Sequence, residues 1–474
     1  MEIDKSLIDA VIKQVVQNLS ENPSACQDAA CCAESKIPGV FQDMDSAIAA
    51  AEKAQAEYME CGMADRKRFV QAIRDVILNQ SNLEYISKLA VDETGMGCYE
   101  SKLVKNRTAA ELTPGVEDLT TAALTGDDGL TTIEYSPYGV IGAITPTTNP
   151  TETIICNSIG MLAAGNSVVF SPHPRAKKVT LDTIHMINCA LEEAGAPKNL
   201  VVTVENPSIE NTNKMMEHPK VRMLVCTGGP AIVKKVLSSG KKAIGAGPGN
   251  PPVVVDETAD IEQAAKDIVN GCSFDNNLPC IAEKEVIAVD SIADFLLFNM
   301  KKNGAYQIDD PAIIQKLIDL VVTEKNGPKT DFVGKSAQYI LKQIGIEVGS
   351  DVRIITMDVP KEHPFVQIEL MMPILPVVRV PDVDTAIDVA VEVEHGNRHS
   401  AMMHSKNIDK LTKMAKKIQT TIFVKNGPSY AGIGVGGEGY TTFTIAGPTG
   451  EGLTSAKSFA RVRRCVLVKG LSVR

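Results

Sequence analysis

No two of the eleven cysteines are spaced C-x-x-C, and zinc-type spacing is absent throughout the 474 residues. His395, His399 and His404 have a suggestive spacing, but no thiolates or carboxylate cluster stand beside them, so no metal site is expected. A disulfide scaffold is excluded as well, because the cysteines are scattered through a long chain and suit a reducing compartment. Positive charge is outnumbered, 48 Lys and Arg against 58 Asp and Glu, and the formal net charge of -10 argues against a nucleic-acid surface. The run "RVRR" at 461–464 is too short to be a phosphate reader and reads as a solvated or inter-subunit surface. No hydrophobic run reaches the length of a membrane span, and Asp4, Lys5 and Asp9 interrupt any signal-peptide core. The expected setting is cytoplasmic, without membrane or nucleic-acid partners.

What is present is an ordinary globular composition, 44% hydrophobic and 22% charged, in a chain long enough for two or three domains. Residues 2–19 place Ile3, Leu7, Ile8, Val11, Ile12, Val15, Val16 and Leu19 at helical spacing, which predicts an amphipathic helix about 27 Å long. Residues 20–36 lack periodicity and read as a flexible linker. Two readings of the tethered helix stand side by side: packing on its own subunit, or docking on another protein.

The main body starts near Ile37. "DMDSAIAAAEKAQAEYMECG" and "ADRKRFVQAIRDVILNQSNLEYISKLAVDETG" read as helices. From Tyr138, apolar strands alternate with helices: "GVIGAITP", "NSVVFSP", "NLVVTV", "VRMLVCTGG" and "KKAIGAG". A second series runs through "PPVVVD", "EKEVIAVD", "RIITMD", "ILPVVRV" and "TTIFVKNG". The pattern predicts an α/β fold with two parallel-sheet domains meeting near 245–250.

Three strand ends carry loops suited to a ligand: "ITPTTNP" (144–150), "FSPHP" (170–174) and "CTGGP" (226–230). A literal G-x-G-x-x-G, Gly432 to Gly437, is followed by the strand-like "EGYTTFTI" and not by a helix, so it reads as a loop. Cys280 lies between a helix-like segment (260–270) and the strand "EKEVIAVD". As a nucleophile it would need local help, since an ordinary thiol is only a few per cent thiolate at pH 7.

Six collinear stretches resemble the aldehyde dehydrogenase superfamily from residue 37 onwards: "TNPTETIICNSIGMLAAGNSVVFSPHPRAKKV", "TGGP", "GAGPGNPPVVVDETAD", "FDNNLPCIAEK", "IELMMPILPVVRV" and "FVKNGPSYAGIGVGGEGYTTFTIAGPTGEG". More narrowly they resemble its CoA-acylating propionaldehyde and acetaldehyde dehydrogenases from bacterial microcompartments. The resemblance implies the aldehyde dehydrogenase fold. Residues 37–119 and 138–245 would form an NAD-binding domain and 246–442 a catalytic domain. Residues 120–137 with 443–474 would form a small oligomerisation element of a homodimer or homotetramer, and 1–19 an encapsulation peptide that docks on shell proteins. It further implies Cys280 as the catalytic thiol and Asn149 as the oxyanion-hole amide. Thr145, Pro146, Thr147, Ser171, Pro172, His173, Gly228, Gly229 and Glu369 would contact the cofactor, Glu369 at the nicotinamide ribose. Hydrolytic members often carry Lys where Ser171 stands; NAD is favoured here.

The expected chemistry is thiolate addition to a short-chain aldehyde, stabilisation of the oxyanion, and oxidation to a thioester. Hydrolytic members activate water with a Glu, and Ala246 stands where that Glu would be. A thiol acceptor is then the better nucleophile, which points to coenzyme A, with propionaldehyde favoured over acetaldehyde as substrate. Two alternatives remain open in the sequence: another carboxylate, Glu438 or Glu283, acting as base to give a free acid, or a catalytically idle scaffold built around the helix at 2–19.

Overall fold

The computed structural model describes residues 37–472. The helix expected over 2–19, the linker over 20–36 and the last two residues of the C-terminal segment lie outside the described residues.

Six parallel strands form the first sheet, in the order Val40–Phe41, Val201–Val204, Ser167–Ser171, Val140–Ile144, Val221–Thr227, Lys242–Ala246. Runs such as "VIGAI" and "SVVFS" are buried along their whole length because helices cover both faces, which is why they are continuously apolar rather than alternating. From Val140–Ile144 the chain first proceeds to one side and then returns to the other. The strand order therefore reverses between Val140–Ile144 and Val221–Thr227, the place where ligands enter such sheets.

The second sheet has seven parallel strands: Ala305–Gln307, Ile354–Asp358, Ile374–Val380, Glu285–Val289, Pro252–Val255, Ser400–His404 and Ile422–Lys425. Ala122–Gly126, Gly129–Pro137 and Ala460–Val468 form a separate antiparallel sheet, with Ala460 opposite Pro137 and Val468 opposite Gly129.

Three local expectations change. The long helix read through residues 64–95 is two helices, Met63–Leu78 and Gln80–Thr94. Asn79 leaves helical geometry (φ −55°, ψ 124°), and its side chain caps the second helix by accepting from the N–H groups of Ser81 and Asn82. Of the strand-like "EGYTTFTI" only its last residue is strand, as the start of Ile445–Ala446. The threonines there are buried and bond sideways, Thr442 to Thr454 and Thr444 to Asn157, so side-chain bonds replace a ladder. The helix Tyr99–Leu112 had no counterpart in the sequence reading.

Candidate active site

The helix Ile261–Ser273, capped by Asp260, delivers the chain to the segment ahead of Cys280. There Asp275, Asn276 and Asn277 take positive φ in succession (50°, 54° and 65°). That conformation costs roughly 1–2 kcal/mol for an ordinary residue, and Asp and Asn tolerate it best. The surroundings hold it in place. Asp275 accepts from the N–H of Cys98 at 2.9 Å and donates its own N–H to the Ser101 hydroxyl. Asn276 donates to the carbonyls of Gly97 and Gly334, and Asn277 to those of Cys272 and Glu283. The buried Lys284 ammonium donates back to Asn277 Oδ1 at 2.5 Å and to the carbonyls of Asn277 and Pro279.

Cys280 keeps an opening to solvent within an otherwise enclosed site. Desolvation first, and then the neighbouring Glu369 carboxylate, push its thiol up to about 12, while Lys284 and Lys105 act in the opposite direction. The resting side chain is therefore a thiol, and an acceptor for its proton is required. Glu369 is itself pushed up to about 7 by burial, against the pull of Lys284 and the N–H of Gly249.

Gly249 is where the parts meet. A Cβ there would stand 2.9 Å from the Cys280 carbonyl oxygen and 2.9 Å from His399 Cγ. His399 is buried, with Nδ1 against the Ser400 hydroxyl at 2.9 Å and Nε2 without a partner among the described residues. Burial and then Lys284 lower its pKa to about 4, so the imidazole is neutral and a weaker base than an exposed one. His395 and His404 take no part in this cluster: His395 bonds the Gln367 carbonyl, and His404 is buried at the end of its strand.

Asn149 stands at the N-terminus of the helix Pro150–Ala163, 6% exposed. Its Oδ1 accepts from Lys105 Nζ at 2.5 Å, and its Nδ2 donates to the Thr148 hydroxyl at 3.2 Å. Lys105 also pairs with Glu152 at 2.9 Å and Asp275 at 2.5 Å, and Lys102 reaches the same two carboxylates at 3.7 and 3.2 Å. All four side chains are buried. Burial works against the Lys105 charge, but Asp275 and Glu152 outweigh it and raise its pKa.

The expected cofactor loops flank the crevice where the strand order reverses. Thr145 follows Val140–Ile144 and bonds through its N–H to the Ser171 carbonyl, while its hydroxyl is buried without a partner among the described residues. Pro146 and Thr147 are partly exposed, Pro172 is buried and His173 is exposed. Ser171 shares a hydrogen bond with Thr212 at 2.7 Å. Gly228 donates its N–H to the Ala246 carbonyl, and Gly229 caps the helix Pro230–Leu237. Ala246 thus ends its strand beside the Gly228 loop, and it is Gly249, three residues on, that touches Cys280.

A family model described as "Aldehyde dehydrogenase family" matches residues 37–326. The chain belongs to the aldehyde dehydrogenase family. It is 52% identical over 437 residues to a propanal dehydrogenase (CoA-propanoylating) of Salmonella typhimurium, covering 92% of this chain and 93% of that one. It is 73% identical to a propionaldehyde dehydrogenase of Rhodopseudomonas palustris solved with bound CoA and an acylated cysteine, with a TM-score of 0.91 over 92% of this chain and 99% of that one. A propionaldehyde dehydrogenase from the Clostridium phytofermentans fucose utilisation bacterial microcompartment is 53% identical, with a TM-score of 0.90 over 92% of this chain and all of that one.

Within this aldehyde dehydrogenase, sequence reasoning missed Lys105, Gly249 and His399 as members of the site. The signal for Lys105 was Lys102, Lys105 and Asn106, polar residues at helical spacing in a stretch with few large apolar ones. They are the buried face of their helix.

Proposed function

We infer that this chain is a CoA-acylating aldehyde dehydrogenase that oxidises a short-chain aldehyde, with propionaldehyde favoured, through a thioester on Cys280. The observation that carries the reading is Ala246, which stands where hydrolytic members carry their water-activating Glu; Glu369, the carboxylate that does neighbour Cys280, is the one assigned to the cofactor. Both oxygens of Glu283 are taken by Ser429, at 2.8 and 2.7 Å, and Glu438 lies in an exposed loop. The CoA-linked relatives support the same conclusion.

Cys280 gives up its proton, with the unpartnered Nε2 of His399, across Gly249 from the Cys280 backbone, as the proposed acceptor, and its thiolate adds to the aldehyde carbonyl. The Asn149 amide and the Cys280 backbone N–H steady the oxyanion. Oxidation leaves an acyl-thioester on Cys280, and the thiol of CoA displaces the enzyme sulfur to release acyl-CoA. NAD⁺, when bound, supplies the hydride acceptor. The crevice fits such a group: the orphaned Thr145 hydroxyl and the Gly228–Gly229 turn border it, with Pro146, Thr147, Ser171, Pro172 and His173 along the adjoining strand ends. Glu369 is the acidic group assigned to its ribose.

The deciding experiment is a product assay with propionaldehyde and acetaldehyde, with and without CoA. Propionyl-CoA formed only when CoA is present supports the reading; free acid formed at an unchanged rate without CoA would sink it.

Residues 1–19 are proposed as an encapsulation peptide for a microcompartment shell, supported by the relative from such a compartment. Fused to a fluorescent protein in shell-forming cells, they should give punctate signal, and a diffuse signal would count against this role. No described helix is long and apolar enough to cross a membrane.

A further inference from the structure

We propose that Lys105 is the positioning residue for the Asn149 amide and, through Asp275, for the backbone that leads to Cys280. The proposal rests on the reading of Asn149 as an oxyanion donor. An ammonium has three hydrogens and no lone pair. Lys105 Nζ donates to Asn149 Oδ1 at 2.5 Å and forms ion pairs with the acceptor oxygens Glu152 Oε1 at 2.9 Å and Asp275 Oδ2 at 2.5 Å. Those acceptors come from the helix that Asn149 begins and from the segment before Cys280, so a single buried cation ties the two halves of the reaction centre together.

The orientation of the amide follows from the chemistry of its partner. The two ends of an Asn side chain are nearly the same size, and only hydrogen bonding tells them apart. A group that can only donate requires oxygen at its end, which turns Nδ2 the other way. Thr148 takes one Nδ2 hydrogen at 3.2 Å, which leaves the second for a developing oxyanion. Were the amide to turn over, it would present oxygen to negative charge. Lys102 supports the same framework: it donates to the Thr148 carbonyl at 2.6 Å, which holds the backbone next to Asn149.

Lys105 is a positioning residue because it acts through Asn149 and the backbone. Its test is a double-mutant cycle on the full chain, with Lys105→Met, Asn149→Ala and both together. The readouts are the single-turnover rate of NADH formation from propionaldehyde and KM. Each single change should slow the first turnover by about 10²–10³-fold, the range for losing one oxyanion donor, with KM little altered. Removing Lys105 from the Asn149→Ala background should cost much less than removing it from the parent, since only its hold on Asp275 is then left to lose. A merely structural role would act whether or not Asn149 is present, and the two losses would multiply. A native rate in Lys105→Met, or multiplying losses, would overturn the proposal; a native rate in Asn149→Ala would instead overturn the oxyanion reading beneath it. Because Lys105→Met strands buried carboxylate charge and can fail to fold, Lys105→Met/Glu152→Gln keeps the cluster neutral. It should fold and remain slow, and a native rate there overturns the proposal equally.

Discussion

Glu283 and Ser429, 146 residues apart, are joined twice: Ser429 donates its backbone N–H to one carboxylate oxygen and its hydroxyl to the other, at 2.8 and 2.7 Å. The pair ties the segment just after Cys280 to the loop at 429–433. Burial raises the Glu283 carboxyl to about 7 against these hydrogen bonds. A raised folded-state pKa means stability that is complete below the unfolded value of about 4.5 and is lost as pH rises through about 7. Glu283→Gln removes that loss. The variant should therefore compare more favourably with the parent at pH 8.5 than at pH 6 when Tm is measured at both. An equal Tm difference at the two values would contradict the assignment.

Gly249 tests the packing of the centre. A methyl there meets the Cys280 carbonyl and the His399 ring, each at 2.9 Å, closer than side-chain carbons ordinarily come. Something must shift, and misplacement by about 1 Å can cost about 10²-fold in rate. Gly249→Ala should lose activity on that scale while Tm falls modestly, as read by steady-state kinetics and thermal unfolding. A variant within a factor of about two of the parent rate would remove Gly249 from this role.

Glu369 controls how readily Cys280 ionises, after desolvation. Removing its charge should make the thiol easier to deprotonate. Iodoacetamide should label Cys280 faster in Glu369→Gln than in the parent at pH 9. At pH 6 the two rates should converge, because Glu369, with its pKa of about 7, is then largely neutral in the parent. Equal labelling at pH 9 would show that its charge does not reach the sulfur.

Cys272, eight residues before Cys280, provides an internal comparison. It is completely buried, its sulfur meets Asn277 Nδ2 at 3.4 Å, and desolvation raises its pKa. Cys280→Ala should abolish turnover. Cys272→Ala should keep most of it and lose about 1 kcal/mol of stability to the small cavity. Loss of turnover in both variants with Tm unchanged would undo the distinction.

The strands were legible in the sequence because buried parallel strands are unbroken apolar runs, as in "SVVFS" and "PVVV". The helix Tyr99–Leu112 was not, because it turns Lys102, Lys105 and Asn106 inward, the inverse of the amphipathic pattern. Its lysines make sense only once Glu152 and Asp275, 47 and 170 residues from Lys105, are folded against them. Cys280 and Asn149 were reached through a motif resemblance. Gly249 and His399 were not, because their importance lies in a contact between segments about 150 residues apart. Among the carboxylates, sequence offered Glu283 as a possible base; only the two hydrogen bonds it accepts from Ser429 show it to be occupied.

The three-stranded antiparallel sheet yields the last prediction. Along Ala460–Val468, Val462, Val466 and Val468 share one face by the two-residue period of a strand, and they are 64%, 59% and 70% exposed. Ala460–Val468 also borders the sheet, so one of its edges lacks a strand partner among the described residues. Exposed valines beside an open edge favour association with another chain. The full chain should behave in light scattering as a multiple of its 50.8 kDa mass. Val466→Asp with Val468→Asp should shift it towards the single-chain mass, because burying two carboxylates at an interface without partners is costly. An unaltered chain that already runs at 50.8 kDa, or a double variant whose mass does not change, would separate this sheet from assembly.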